Sequence, residues 1–508
     1  MNIEHTPMKT KFKEEEILKA LKSLRNNKAA GVDELRAEQL KYGPINTIKE
    51  IANIFNQMAE TGERPKELYQ GLLVAHQKPG KKQGPIGNLR PIILMSILRK
   101  ILAICMIGRV GEKIIRKIPK TQAAYQPGRS TTEQVFVFKT MAEKAISSKD
   151  YEAHVLMMDM SRAFDTVNRE KLLEILEEIL EKDELHIMKL LINDVQFIVR
   201  CGEHKGTPFT TNIGTPQGDC LSPILFILYL AKALNIKNYN DINQIIASEH
   251  NYHKNIIPKS STINEQYADD LGWVTNGPIE VIEDIKNLYP PRLAEYKLKI
   301  NPEKNEEFSI KYNGDNKWKT IKVLGSRLDT KEDIKLRKIL ALDAVDKLGS
   351  IWESRTLTIN LKFRFFNVYI ESIFLYNSEL WTVNKTINKQ IDSFQRRLLR
   401  YMLNIKYPRI ITNENLKQKV KFDPWSKKIK IRRLKWTGHL FRLNSETAAK
   451  QVLNVADLPS KHRKGRRINT WRSIVTKELE ELGISWEEAK RIAQNRETWK
   501  NNIISKVL

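Results

Sequence analysis

The chain's strongest constraint on its fold is a pair of apolar strand segments that each end in carboxylates. Val155-Leu156-Met157-Met158 runs into Asp159, and Gln266-Tyr267-Ala268-Asp269-Asp270 is followed by Leu271-Gly272-Trp273-Val274. Ile263 to Val274 reads as strand, turn, strand, which sets two adjacent aspartates in a tight turn between apolar segments. Such carboxylates are costly unless they are solvated or metal-bound. A turn also accepts aspartate for its own hydrogen-bonding reasons, so the Asp-Asp pair alone decides little. Joined to Asp159, it has the residue type that phosphoryl transfer requires: two Mg²⁺ ions about 3.5–4 Å apart are held by hard oxygen ligands.

Between the two segments lies Gly214-Thr215-Pro216-Gln217-Gly218-Asp219-Cys220-Leu221-Ser222-Pro223, leading into an apolar helix from Leu221 to Leu234. Glycines let backbone approach a nucleotide, and Gln217 offers both a donor and an acceptor. Ser222-Pro223 also reads as a helix cap followed by proline at the first helical position, and both readings can hold. Upstream, Lys78 and Arg90 flank a basic stretch suited to a triphosphate, although a solvated basic loop accounts for it equally.

Other segments supply the scaffold. Helical spacing predicts a helix from Phe12 to Leu24, and Leu72 to Val74 reads as a short strand. Ile92 to Val110 is mainly apolar and reads as one buried helix. Leu172, Leu176, Ile179 and Leu180 mark an amphipathic helix with an acidic outer face. The Asn-rich stretch 236–262 reads as a surface insertion. Beyond about residue 330 helical spacing dominates, anchored by Trp352, Phe366, Trp381 and Phe394.

The 508 residues suggest two to four domains, and a net charge of +26 attracts phosphate backbones unless it only reflects a Lys-, Asn- and Ile-rich composition. Cys105, Cys201 and Cys220 are too few and too scattered for a disulfide framework or a zinc knuckle, which fits a reducing intracellular compartment. No apolar run is long enough to span a membrane, and no secretory signal is visible at the N-terminus.

Taken in order, these segments resemble the reverse transcriptase domain of non-LTR (LINE-type) retrotransposons. Asn88-Leu89-Arg90-Pro91-Ile92 is similar to the family's Asn-Tyr-Arg-Pro-Ile segment, and Gln122-Ala123-Ala124-Tyr125-Gln126-Pro127-Gly128-Arg129-Ser130 to its Gln-x-Gly-Phe-x-x-Gly-Arg segment. Asp159 to Asp165 resembles motif A, Gly214 to Pro223 motif B, and Tyr267 to Asp270 motif C. Asn301 to Glu306 resembles motif D, and Val323-Leu324-Gly325 motif E. Departures are Leu89 for Tyr, Ala124 for Gly, Arg162 for Lys and Asn305 for Thr; none removes a carboxylate.

The resemblance implies an α/β right-hand polymerase with fingers, an α+β palm and a thumb, followed by a basic all-helical C-terminal region. The divisions are 1–75 (N-terminal helical extension and start of the fingers), 76–330 (fingers and palm), 331–405 (thumb) and 406–508 (tail). Asp159, Asp269 and Asp270 would hold two Mg²⁺, with Mn²⁺ as an alternative. Lys78 and Arg90 would grip the triphosphate of a dNTP, and Met160, Gln217 and Gly218 would line its pocket. Phe164 would exclude a ribose 2′-hydroxyl, and Lys304 would protonate pyrophosphate. The partners would be an RNA template and a DNA primer, with no membrane; in a eukaryote the protein would be nuclear at integration.

The tail carries Lys427, Lys428, Lys430, Arg432, Arg433, Lys435 and Arg442 between Pro424 and Ser445 without an acid, interleaved with Trp425, Trp436 and Phe441. Lys427, Lys428, Arg432, Arg433 and Trp436 are therefore expected to bind nucleic acid by neutralisation and stacking, and residues after about 405 to be dispensable for chemistry. A Lys-rich helix with core tryptophans is the plainer alternative. Lys461 to Arg467 reads as an import patch or a further phosphate contact. No nuclease signature accompanies the polymerase motifs, so the chain is expected to be a fragment or partial copy. Rival functions are a group II intron maturase and a catalytically inactive RNA-binding relic. An RNA-directed RNA polymerase would instead carry Gly-Asp-Asp, and a second aspartate where Phe164 stands.

Overall fold

The computed structural model describes residues 9–44, 46–149, 151–235, 262–405, 407–445, 447–456 and 469–507. The predicted insertion 236–262 falls outside them except for Thr262, and so does the basic patch 461–467.

Helix α1 (Glu14–Ser23) buries Ile17, Ala20 and Leu21 against α2 (Asn46–Thr61) and α3 (Ile97–Ile115). Strand β1 (Gln70–Gln77) pairs antiparallel with β2 (Leu89–Met95). The single buried helix expected over Ile92 to Val110 is therefore corrected: its first residues form β2, Ser96 caps Arg99 N at 3.1 Å, and α3 begins at Ile97. A fully buried strand and a fully buried helix share the same uninterrupted apolar signal, so only the cap marks the boundary.

Helix α4 (Thr131–Ser147) is buried on nearly all sides and underlies the palm sheet. Strand β3 (Ala153–Asp159) leads through a short 3₁₀ turn (Ala163–Asp165) into α5 (Arg169–Glu177) and α6 (Lys182–Ile192). Strand β4 (Val195–Cys201) then lies parallel to β1, with β5 (His204–Lys205) and β6 (Phe209–Thr211) on its other edge. Helix α7 (Ser222–Leu234) starts one residue earlier than the Ser222 cap predicts, with Leu221 in the cap position and Pro223 in the first turn.

The palm is a four-stranded antiparallel sheet in the order β7-β8-β3-β9, with β7 (Thr262–Tyr267), β8 (Asp270–Thr275) and β9 (Glu306–Ile310); α8 (Glu280–Glu295) joins β8 to the motif D turn. Both faces of this sheet are covered. Leu156, Met158, Leu271 and Trp273 join a core with α3, α7 and α8, whereas Ala153, Val155, Ile263 and Val274 face α4 and the C-terminal helices. Burial on two faces explains why the strands read as continuous apolar runs rather than as alternating ones.

The third core is the helical thumb, α9 (Thr330–Lys347) to α10 (Lys385–Met402). All four predicted anchors are buried there, Trp352, Phe366, Trp381 and Phe394. Helix α11 (Trp425–Arg442) crosses between cores: Trp425 stacks on Phe374 at 4.2 Å in the thumb, while Trp436 meets Phe136 of α4 edge to face at 6.0 Å. Helices α12 (Ala448–Ala456), α13 (Trp471–Glu480) and α14 (Trp486–Ala493) complete that second core. The tail thus packs against α4 and the palm sheet. Among the described residues no helix is long and apolar enough to cross a membrane.

Candidate active site

Register decides the site. In the β3–β8 ladder Asp159 lies directly across from Asp270, and Tyr267 pairs with Asp270 across the β7–β8 turn, leaving Ala268 and Asp269 as the two turn residues. Asp159 thereby meets two carboxylates more than a hundred positions further along the chain at one end of the palm sheet. Lys304, in a 3₁₀ turn (Pro302–Lys304), reaches Asp159 Oδ2 with its Nζ at 2.7 Å. That turn is fixed by Asn301 N donating to Asp159 O at 2.8 Å and Ser161 N to Lys299 O at 2.8 Å.

The carboxylates repel one another. Partial burial, then the charge on Asp159, raises Asp269 above the usual carboxylate range, against an opposing pull from Lys304 and Arg90. Asp270 is open to solvent on one side, yet loss of water on the other, with the charges on Asp269 and Asp159, pushes it up to about 6. Crowded carboxylates of which Asp269 and Asp270 resist ionisation are suited to a cation, and oxygen donors suit a hard one. Among the described residues no three or more His, Cys, Asp or Glu side chains enclose a metal position.

A stability consequence follows from Asp270. Its folded pKa lies above its unfolded one, so the folded state binds more protons between about pH 4 and 6, and stability falls as pH rises through that window. Asp270→Asn is therefore expected to melt higher than the wild type at pH 7.5 without metal, and equally at pH 4. An unchanged or lower melting temperature at pH 7.5 would contradict the repulsion.

The glycine loop closes one side. Gly218 has φ +115°, and a Cβ there would stand 2.5 Å from Ile93 O; Gly214 has φ +78° and would clash with Asp165 O at 2.9 Å. Both glycines are demanded by backbone approach. Gln217 accepts from Ile93 N through its carbonyl at 2.7 Å, and its side chain donates to Asp165 Oδ1 at 3.4 Å. Phe164 stacks on Phe226 of α7 with ring centroids 4.3 Å apart, and its carbonyl accepts from Thr215 N at 2.8 Å. Lys78 donates to Gly87 O at 3.0 Å, and its charge is felt at Asp165 as that of Arg90 is at Asp269.

Met160, just past the end of β3, forms an isolated bridge with Ile300, and its side chain is buried in the first core rather than lining an open pocket. Two arginines without a role in the sequence reading hold the loop. Arg169 donates to Gly214 O (2.8 Å), Thr211 Oγ1 (2.9 Å) and Ile213 O (3.2 Å), while buried Arg99 pairs with Asp219 at 2.7 Å. Their signal is tertiary, since each partner is remote in sequence.

Two of the tail assignments, Arg433 and Trp436, are corrected. Arg433 is buried, paired to Glu478 at 2.5 Å and donating to Trp381 O at 3.1 Å, and Trp436 lies in the second core. Neither is accessible to a nucleic acid. Lys428 pairs with Glu371 at 2.7 Å, Arg432 with Glu379 at 3.0 Å and Lys430 with Glu481 at 2.7 Å, while Lys427 stands 3.4 Å from Asp423. The acids missing from the run come from other elements.

Residues 77–328 match the family model described as reverse transcriptase (RNA-dependent DNA polymerase). Over 420 residues the chain is 24% identical to a probable RNA-directed DNA polymerase from transposon BS of Drosophila melanogaster, covering 77% of this chain and 45% of that protein. Over 217 residues it is 25% identical to the RNA-directed DNA polymerase from mobile element jockey of the same organism, covering 42% and 24%. The chain thus spans less than half the length of these relatives. Apo telomerase from Candida tropicalis superposes with a TM-score of 0.40 at 13% identity, covering 80% of this chain and 70% of that one. Three of the four curated matches are named as polymerases of mobile elements, so neither the maturase nor the relic reading is favoured. Carrying motifs A to E in order, residues 77–328 match a reverse transcriptase domain and are similar to the polymerases of non-LTR retrotransposons.

Proposed function

We propose that this chain extends a DNA primer with dNTPs on an RNA template. The observation that carries the reading is the β3–β8 register, which sets Asp159 beside the Asp269-Asp270 turn with Lys304 at hand. Asp159 and Asp269 would hold the metal ions, with Asp270 adding charge at the rim. Two Mg²⁺, or Mn²⁺ in their place, would activate the primer 3′-hydroxyl and neutralise the leaving pyrophosphate. Lys304, whose ammonium lies 2.7 Å from Asp159 Oδ2, would serve as the proton donor to pyrophosphate. Arg90 and Lys78 would hold the triphosphate from the finger strands, and Gln217 and Gly218 would bound the nucleotide on the other side.

Phe164 would set sugar choice. Its ring is backed by Phe226, so it cannot retreat from a 2′-hydroxyl. Primer extension by purified protein on matched RNA and DNA templates, with and without chelator, tests the activity. In the same assay Phe164→Val is expected to raise kcat/KM for CTP relative to dCTP about tenfold, or ~1.4 kcal/mol. Extension that ignores chelation would sink the reading. A Phe164→Val protein with lowered melting temperature and unchanged sugar choice would make the ring a core residue only.

A further inference from the structure

Asp269 sits in a two-residue turn that the β7–β8 hairpin itself closes only at its base. Ala268 has φ +55°, in the left-handed region that alanine seldom occupies, and only the Tyr267–Asp270 pair closes the hairpin below it. The missing restraint comes from elsewhere. Gln122, fully buried, takes the Ala268 N–H on its Oε1 at 3.0 Å and donates from Nε2 to the Ala268 carbonyl at 3.3 Å. We propose that Gln122 is a positioning residue for nucleotide addition, its carboxamide gripping both backbone polar groups of Ala268 and so holding the Asp269 carboxylate toward Asp159.

The two grips act on the two peptide planes that flank Ala268. The N–H belongs to the Tyr267–Ala268 plane and the carbonyl to the Ala268–Asp269 plane. Rotation of the second plane is the motion that would swing Asp269 away, and the Nε2 bond opposes it. The clamp has its own foundation. Ala123 N donates to Gln266 O at 2.9 Å and Gln266 N to Thr121 O at 3.0 Å, so Gln122 is held beside β7 by a parallel bridge to Gln266. Gln134 of α4 also donates to Gln266 O, and Gln266 Nε2 donates to Thr121 Oγ1 at 3.1 Å. The remaining acceptor capacity of Gln122 Oε1 goes to Ala124 N at 3.0 Å, which fixes the side chain to its own loop. A glutamine serving only to fill space would leave the turn carbonyl unheld.

The inference rests on the polymerase reading, and its test separates the two. In the full chain, Gln122→Met keeps length and burial but can make neither bond. Loss of an outer residue that orients a metal-binding carboxylate lowers metal affinity or turnover by about 10–100-fold. We therefore expect Mn²⁺ affinity of the metal-free protein, measured by calorimetry, and single-dNTP turnover at saturating primer–template each to fall by about 10-fold or more. The Kd for primer–template stays within about twofold, because no nucleic-acid contact is removed. Wild-type Mn²⁺ affinity in a folded Gln122→Met protein overturns the clamp, whatever its melting temperature. If Met at this position prevents folding, Gln122→Glu, which keeps the acceptor and lacks the donor, is judged by the same two quantities. A wild-type chain that adds no dNTP defeats the polymerase reading instead, and the Mn²⁺ comparison still decides the clamp.

Discussion

Asp269→Asn is expected to lower Mg²⁺-dependent dNTP addition by at least about 10³-fold, roughly 4 kcal/mol of transition-state stabilisation. An amide keeps the size of the side chain and its place in the turn but gives up the charge that a hard cation requires. The same substitution removes one member of a mutually repelling group, since Asp269 is raised by burial and by Asp159. The metal-free variant should therefore melt no lower than the wild type at pH 7.5, which separates loss of chemistry from loss of fold. Single-turnover incorporation and thermal melting on the same preparation give both answers. Extension at the wild-type rate would remove Asp269 from the metal-binding set.

Ending the chain after Ile405 is expected to destroy the fold rather than trim an accessory. The cut removes Trp425 from the thumb core, and Leu434, Trp436, Leu440, Trp471 and Trp499 from the core shared with α4. Phe136, packed against Trp436 and against Trp471 at 4.9 Å, would face water, and Glu143 would lose the Trp471 N–H it accepts at 2.7 Å. Removing one buried tryptophan costs about 3–5 kcal/mol, and whole domains are stable by only about 5–15 kcal/mol. The truncated chain should be insoluble, or should lack a cooperative melting transition. Recovery of a soluble truncated protein with wild-type turnover would restore the view that the tail is dispensable.

The sequence by itself determined what is local or is carried by residue type and order. Apolar strands ending in Asp159 and Asp269-Asp270, the glycine loop before α7, the thumb aromatics and the motif order are all legible without coordinates. They are legible because strand pattern, turn chemistry and hard-oxygen chemistry each depend on a few neighbouring residues. Tertiary structure decided everything that joins distant positions. It opposed Asp159 to Asp270, since register is set by pairing across the sheet. Two of the finer assignments failed for the same reason. Arg433 and Trp436 read as a basic, aromatic surface when only their neighbours along the chain were counted, yet α11 lies between α4, α13 and the thumb, and Glu371, Glu379, Glu478 and Glu481 supply the acids its own segment lacks. Ile92 to Val110 was split by a strand pairing with β1 that periodicity cannot register. Gln122 stood within a quoted motif but acquired a role only when its carboxamide was found against Ala268. A side chain's burial and its partners depend on which elements meet, and that information lies in the packing of residues tens to hundreds of positions apart.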